Sequence, residues 1–224
     1  MSNQLHPAVL LFGTPGVGKG TQGKLLGKIV GFFHVSTGDI FRGLDPNSEE
    51  GKEVNEVISR GELVSNELTV KIWKTWLDAQ IEGATFSPDS EVMLLDGIPR
   101  NVVQCEKLSS IIDVQRVIHL CSADEEEPII ERIKHRAMID GRPDDADSNI
   151  IRRRFEIYRQ QTSPVLDYYS DDIVHQIDPM GTPAEVLKRI LERVIPVLQA
   201  VRGRDFDPHI EDVLQEEQGQ EGAA

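Results

Sequence analysis

The stretch Ala8-Val-Leu-Leu-Phe-Gly13-Thr-Pro-Gly-Val-Gly-Lys-Gly-Thr-Gln22 decides how the chain is read. Ala8–Phe12 is an apolar run of strand length bounded by glycine, and a helical pattern opens at Lys19. Glycines at 13, 16 and 18 let the backbone turn through dihedrals closed to other residues and gather several N–H groups around one point. The helix N-terminus adds a partial positive charge there, and Lys19 adds a full one. A polyphosphate is the natural guest of such a loop. The residue after Lys19 is Gly20, so the hydroxyl that usually follows the lysine arrives one place later, at Thr21.

Outward from this stretch, apolar runs alternate with helical patterns. Strands are predicted at Ala8–Phe12, Phe33–Val35, Val92–Leu95, Arg116–Cys121 and Ile173–Ile177. Helices are predicted at Lys19–Val30, Glu50–Arg60, Asn66–Glu82, Asn101–Ile112, Ala123–Ala137, Asp145–Tyr169 and Pro183–Val201. That rhythm belongs to βαβ units, hence to an α/β fold with a parallel sheet and helices on both faces. Ser65 reads as an N-cap, and Thr182-Pro183 reads as an N-cap followed by proline at the first helical position. Gly38–Val64 carries two short polar helices joined by Asp45-Pro-Asn-Ser48, too long for a simple connection and expected to form a small subdomain. Gly141-Arg-Pro-Asp-Asp145 is expected to form a short mobile arm. From Gly203 onward seven acids stand against one arginine, and residues 203–224 are expected to be a disordered tail without a catalytic role.

The 224 residues suffice for a substantial core without disulfides or metals. Lys and Arg total 24 against 38 Asp and Glu, a net charge of -14, which argues against nucleic acid and against an anionic membrane surface as partner. An anionic ligand must therefore meet a local cluster of positive charge. Cys105 and Cys121 form no paired motif, so neither a disulfide framework nor a zinc site is expected. No apolar run is long enough to span a membrane, and the first strand starts too early to leave room for a signal peptide. The expected location is cytoplasmic.

Two further elements belong with the loop. Glu91-Val-Met-Leu-Leu-Asp96 is a strand ending in a carboxylate at the edge where a parallel sheet binds ligands, so Asp96 is placed to hold magnesium directly or through water. Loop and carboxylate together imply a nucleoside triphosphate with Mg2+. Nine of the 15 arginines fall between Arg100 and Arg159, a concentration suited to planar, bidentate phosphate recognition. Arg132 and Arg136 are four apart and share a helix face, with Arg142 on the turn beyond. Within Arg152-Arg153-Arg154 periodicity does not choose: Ile151, Phe155 and Tyr158 mark the core stripe and the triplet spreads around the rest.

At these residues the chain resembles the adenylate kinases, nucleoside monophosphate kinases that move a phosphoryl group from ATP to AMP. The resemblance runs from about Ala8 to Val201. It is carried by Gly13–Gln22, His34-Val-Ser-Thr-Gly-Asp-Ile-Phe-Arg42, Gly61-Glu-Leu-Val64, Leu95-Asp-Gly-Ile-Pro-Arg100 with Gln104, and Arg136–Asp145 followed by Arg153. It implies a P-loop NTPase-type doubly wound sheet of five parallel strands in a domain spanning residues 1–202. An AMP-binding insertion would occupy 36–64, and a short lid without cysteines 135–145.

Carried over residue by residue, the resemblance implies that Lys19 and the loop residues Gly13, Gly16, Val17, Gly18, Gly20 and Thr21 hold the ATP phosphates. Arg132 would stack on the donor adenine, Arg136 reach its phosphates, and the backbone of Gly181 lie near the adenine. Thr37, Arg42, Glu62, Leu63, Val64, Gly97, Arg100 and Gln104 match AMP contacts. Arg142 and Arg153 match lid-side clamps that close over both phosphates, so that Lys19, Arg100, Arg136, Arg142 and Arg153 form the catalytic set. Mg2+, near Asp96 through water, and ATP as donor are the implied cofactors, ATP, AMP and ADP the partners, and a monomer the assembly. Ile98 departs from the family, which usually has an aromatic there. A UMP/CMP kinase would share nearly every phosphate contact but typically has Ala at position 37 and Asn at 104. A nucleotide-dependent switch would not need two arginine sets facing two nucleotides, a non-catalytic nucleotide-binding scaffold would make no ADP from ATP plus AMP, and a small-metabolite kinase would explain only the phosphate loop.

Overall fold

A computed structural model describes residues 5–121, 129–131, 133–134, 137 and 147–202. Five strands, β1 (His6–Gly13), β2 (Phe32–Ser36), β3 (Val92–Asp96), β4 (Ile112–Leu120) and β5 (Val174–Ile177), form one sheet in the order β2-β3-β1-β4-β5. Every pairing is parallel, with Leu10 opposite Leu95 on β3 and opposite Val117 on β4. The helices are α1 (Lys19–Leu26), α2 (Thr37–Arg42), α3 (Glu49–Ser59), α4 (Asn66–Glu82), α5 (Val102–Leu108), α6 (Ser148–Ile157) and α7 (Pro183–Arg202), with further helical residues at 129–131, 133–134 and 137. The predicted fold class is therefore the observed one, a doubly wound parallel sheet of five strands.

The two-residue period of β1 shows why both faces need cover. Ala8, Leu10 and Phe12 pack with Val35, Leu95 and the α4 residues Ile72, Trp73 and Leu77. Val9 and Leu11 point the other way, onto Leu26 of α1 and Val186, Ile190 and Val194 of α7. Alternate side chains of one strand thus enter different cores, the Val, Leu and Phe among them each contributing roughly 1.5–3 kcal/mol on burial. α4 starts where expected, its Ser65 hydroxyl accepting from the Leu68 N–H. At α7 the Thr182 hydroxyl accepts from the Glu185 N–H at 3.3 Å while the Glu185 carboxylate accepts from the Thr182 N–H at 2.7 Å, a capping box.

Three predicted helices are shorter than expected. α1 stops at Leu26, where Gly27 caps it, not at Val30. α5 ends at Leu108, and Ile112 already belongs to β4, because Ile112 and Asp113 pair with His6 and Pro7. The helix predicted to Tyr169 ends at Ile157, passes into a turn of π-helix at Tyr158–Thr162 and then a 3-10 segment at Ser163–Tyr168. Pro164 explains the last change, since it offers no N–H to a continuing helix. The two helices predicted within Gly38–Val64 are present as the end of α2 and as α3. The expected lid, apart from residue 137, and the tail from Gly203 lie outside the described residues.

Candidate active site

The sheet order reverses at β1, whose neighbours lead to β2 on one side and β5 on the other, and ligands bind such sheets at the carboxyl ends of the strands beside the reversal. Gly13 ends β1 at this point. Its φ is +144°, and a Cβ there would stand 2.4 Å from the Leu120 carbonyl oxygen on β4, so both conformation and space require glycine. At Gly18, φ is +112° and a Cβ would meet no atom of the described residues within 4 Å, so glycine is required there for its backbone alone. The Lys19 ammonium donates to the carbonyls of Gly13 at 2.7 Å and Thr14 at 3.0 Å, which places it inside the curve of the loop. The first N–H groups of α1 have no partner within the helix, and the first intrahelical bond runs from the Gln22 N–H to the Gly18 carbonyl at 3.0 Å. Donors and positive charge therefore converge at the start of α1.

Asp96 closes β3 beside this loop, its Oδ2 3.6 Å from where a Cβ of Gly20 would lie. A cleft of about 450 Å³ contains Gly18, Lys19, Gly20, Thr21, Asp96 and Arg100. Among the described residues no group of three or more His, Cys, Asp or Glu side chains is arranged to hold a metal ion. One carboxylate and an exposed hydroxyl beside a phosphate loop nevertheless fit Mg2+, which prefers oxygen ligands, keeps several waters and takes most of its anchoring from substrate phosphates.

Across the cleft, side chains dominate. Thr37, Arg42, Val64, Gly97, Arg100 and Gln104 line one pocket, together with Glu62 and Leu63. The Ser36 hydroxyl caps α2 by accepting from Asp39 N–H, which sets Thr37 at the first turn. Thr37 is 2% exposed, and its hydroxyl oxygen has no hydrogen-bond partner among the described residues, although a buried hydroxyl ordinarily has one. Arg42 donates to Asp39 Oδ1 at 3.1 Å. Arg100 is fixed along its length: its N–H donates to Gln104 Oε1 at 2.7 Å, its Nε to the Gly97 carbonyl at 2.9 Å, and its carbonyl accepts from the Thr162 hydroxyl at 3.0 Å. Gln104 in turn donates from Nε2 to Asn66 Oδ1 at 3.1 Å, and Asn66 Oδ1 also accepts from Asn101. The Arg100 backbone is thus held by residues from α5 and the segment after α6, and its guanidinium by the Gly97 carbonyl.

The two halves meet in a third space, lined by Gly13, Lys19, Leu63, Gly97, Arg100 and Arg154. The fold therefore brings together the loop residues, Asp96 and the Thr37–Gln104 set. Val17 instead turns into the core at 5% exposure. Gly181, at φ +111°, precedes the capping box of α7, and Gln22 Nε2 donates to the Pro183 carbonyl at 3.1 Å, tying that turn to α1. Arg132, Arg136 and Arg142 lie outside the described residues.

Arg153 is not among the cleft-lining residues. Its guanidinium donates to Glu62 Oε1 at 3.2 Å from an exposed position, and that carboxylate, which also accepts from Arg60, is held below the usual carboxylate range. Arg154, not singled out in the sequence, lines all three spaces. A signal for it exists in the spacing. Counting three, four and seven from Ile151 gives 154, 155 and 158, so Arg154 shares the inward stripe with Phe155 and Tyr158 while Arg152 and Arg153 leave it. Asn66 and His119 have no such signal, because a single polar residue carries no mark of its partners.

His119 on β4 shares a hydrogen bond of 3.1 Å between its Nε2 and the Tyr158 hydroxyl. Burial, with a smaller contribution from the Lys19 charge, lowers the His119 pKa, and burial pushes Tyr158 up to about 12, so both are neutral near pH 7. Burial likewise pushes Cys105 up to about 11, which leaves it an inert thiol.

The family model described as "Adenylate kinase" matches residues 11–174. An adenylate kinase of Parabacteroides distasonis is 36% identical over 193 residues, covering 83% of this chain and 96% of the relative. One from a Synechococcus species is 38% identical, covering 81% and 95%, and one from Thermus thermophilus is 34% identical, covering 82% and 94%. With the loop, the second arginine-lined pocket and their shared space on the same sheet edge, this chain belongs to the adenylate kinase family.

Proposed function

We propose that the cleft aligns ATP in the loop and AMP in the Thr37–Gln104 pocket, and transfers the γ-phosphoryl group between them to give two ADP. That is the reaction of the family, whose members are nucleoside monophosphate kinases. The observation that carries the residue assignments is the shared space, where Lys19 from the donor loop and Arg100 from the acceptor pocket line one cavity. Phosphoryl transfer passes through a loose transition state with charge spread over the equatorial oxygens, so alignment and charge neutralisation are the protein's task. The acceptor phosphate is already anionic, and no general base is needed.

In this reading the loop amides and Lys19 hold the donor phosphates, and Arg42 and Arg100 hold the acceptor phosphate. The Thr37 hydroxyl and Gln104 Nε2 face the acceptor base. Arg154 takes the bridging position that the family resemblance gave to Arg153, and Arg132, Arg136 and Arg142 complete the cation set from the segment leading through the lid at 135–145. Asp96, through water, and Thr21 would hold Mg2+, which when bound neutralises charge on the donor phosphates. Closure of the lid would exclude water and so suppress hydrolysis of ATP. The active unit is a monomer.

A coupled assay with ATP and a panel of nucleoside monophosphates tests this. AMP is expected to exceed UMP and CMP by about tenfold or more in kcat/KM, the discrimination available from hydrogen bonds to the base. Equal turnover of the three acceptors would remove the adenine assignment, and no ADP from ATP plus AMP would remove the kinase reading.

A further inference from the structure

The turn of π-helix at Tyr158–Thr162 interrupts a helical run beside the cleft, and such turns gather at functional sites. Both of its ends are tied. At one end the Tyr158 hydroxyl shares its 3.1 Å hydrogen bond with His119 Nε2, on the β4 residue paired with Phe12 one position before the donor loop. At the other the Thr162 hydroxyl, 9% exposed, donates to the Arg100 carbonyl at 3.0 Å. Between them the Tyr158 backbone N–H donates to the Arg154 carbonyl, at the helix end that carries the Arg154 side chain into the shared space. One five-residue turn therefore contacts the strand paired with the donor strand, the acceptor arginine and the bridging arginine.

We propose that Tyr158, Thr162 and His119 are positioning residues that set Arg154 and Arg100 at a fixed spacing across the line of phosphoryl transfer. The inference rests on the kinase reading above and extends it to residues that neither hold phosphate nor stack on a base. A strut of this kind suits the chemistry. Misplacement of a charge donor by about 1 Å costs up to ~10²-fold in rate, and a side chain on a helix end keeps its place only if that end is anchored. His119 is well suited to the role. Its ring is half-buried, its Nδ1 has no partner among the described residues, and burial keeps it neutral. The bond from Nε2 to Tyr158 thus orients the ring, and a neutral imidazole beside Lys19 adds no competing positive charge.

The test is steady-state kinetics with ATP and AMP on the full chain, arranged as a double-mutant cycle. Tyr158→Phe removes one hydroxyl and leaves the ring. It is expected to lower kcat by about fivefold to tenfold, the effect of one lost hydrogen bond, with KM for both nucleotides within twofold of wild type. Thr162→Val should behave alike. In an Arg154→Ala background, Tyr158→Phe should cost less than twofold more, because the group it positions is gone. His119→Gln, which keeps a nitrogen able to bond the hydroxyl, should retain more than half of wild-type kcat, whereas His119→Leu should match Tyr158→Phe. The proposal is overturned if Tyr158→Phe leaves kcat within twofold of wild type, if it raises KM in place of lowering kcat, or if its loss multiplies with that of Arg154→Ala. A wild-type chain that makes no ADP defeats the kinase reading itself, a result distinct from an active wild type whose Tyr158→Phe variant is unchanged.

Discussion

In the proposed reading the anion-holding groups between Gly13 and Thr21 are backbone amides supplemented by one lysine, all drawn from nine consecutive residues. The Thr37–Gln104 pocket on the other side of the cleft uses side chains from α2, α4 and α5 and the loops after α3 and β3, held to one another by the Arg100–Gln104–Asn66–Asn101 hydrogen bonds. A backbone cradle tolerates any side chain that leaves the dihedrals intact, and fails when a Cβ appears where none fits. A side-chain pocket fails piecemeal, each lost partner releasing the next. The two regions should therefore break differently when mutated.

The largest effect is expected from the cations. Arg100→Ala and Arg154→Ala should each lower kcat/KM by ~10²-fold or more, the scale of a lost preorganised charge donor, while Arg153→Ala stays within about threefold. Steady-state rates for the three variants decide whether Arg154 or Arg153 acts in the reaction. On the backbone side, Gly13→Ala should destabilise the fold by about 2–4 kcal/mol, combining an unfavourable φ with a clash against the Leu120 carbonyl. Gly18→Ala should cost only about 1–2 kcal/mol, since its surroundings are open. Denaturant melts of the pair separate strain from crowding.

Gln104→Leu removes the acceptor of the Arg100 N–H and a partner of Asn66. It should raise KM for AMP by about tenfold and leave KM for ATP unchanged, a split that would be absent if the two regions were not independent. The smallest effect concerns pH. Burial lowers the pKa values of His6, His34 and His119 below 6.5 in the folded chain. Below pH 6.5 the unfolded chain binds protons that the folded chain does not, so the stability present above that value is lost as pH falls through the folded pKa values. Melting temperature should decline on acidification from about pH 7.5 to about pH 5.5, and a flat profile would contradict the neutral, half-buried state of these rings.

Five strands, the parallel sheet and the donor loop were legible in the sequence because their signals are local. Apolar runs, glycine spacing and cap residues act over a few positions, and Asn66–Glu82 is observed with the predicted bounds. Boundaries moved where partners outside the segment decide, as at Ile112, which pairs with His6, and at Tyr158, where the helix loosens into a π-turn. The inward stripe of α6 was present in the numbering from Ile151, yet three adjacent arginines of equal charge concealed which one followed it.

By itself the sequence determined a phosphate-binding loop after a buried strand, an α/β chain of five such strands, and a surplus of arginine against an acidic whole, because periodicity, glycine and charge need no partner to be read. Only the tertiary structure decided that Arg154 enters the cleft while Arg153 turns to Glu62, that Asn66 buttresses Gln104, and that one π-turn touches both arginines. These depend on which side chains the sheet order and helix rotation bring within about 3 Å, the reach of a hydrogen bond, and such proximity is set by the packed chain as a whole.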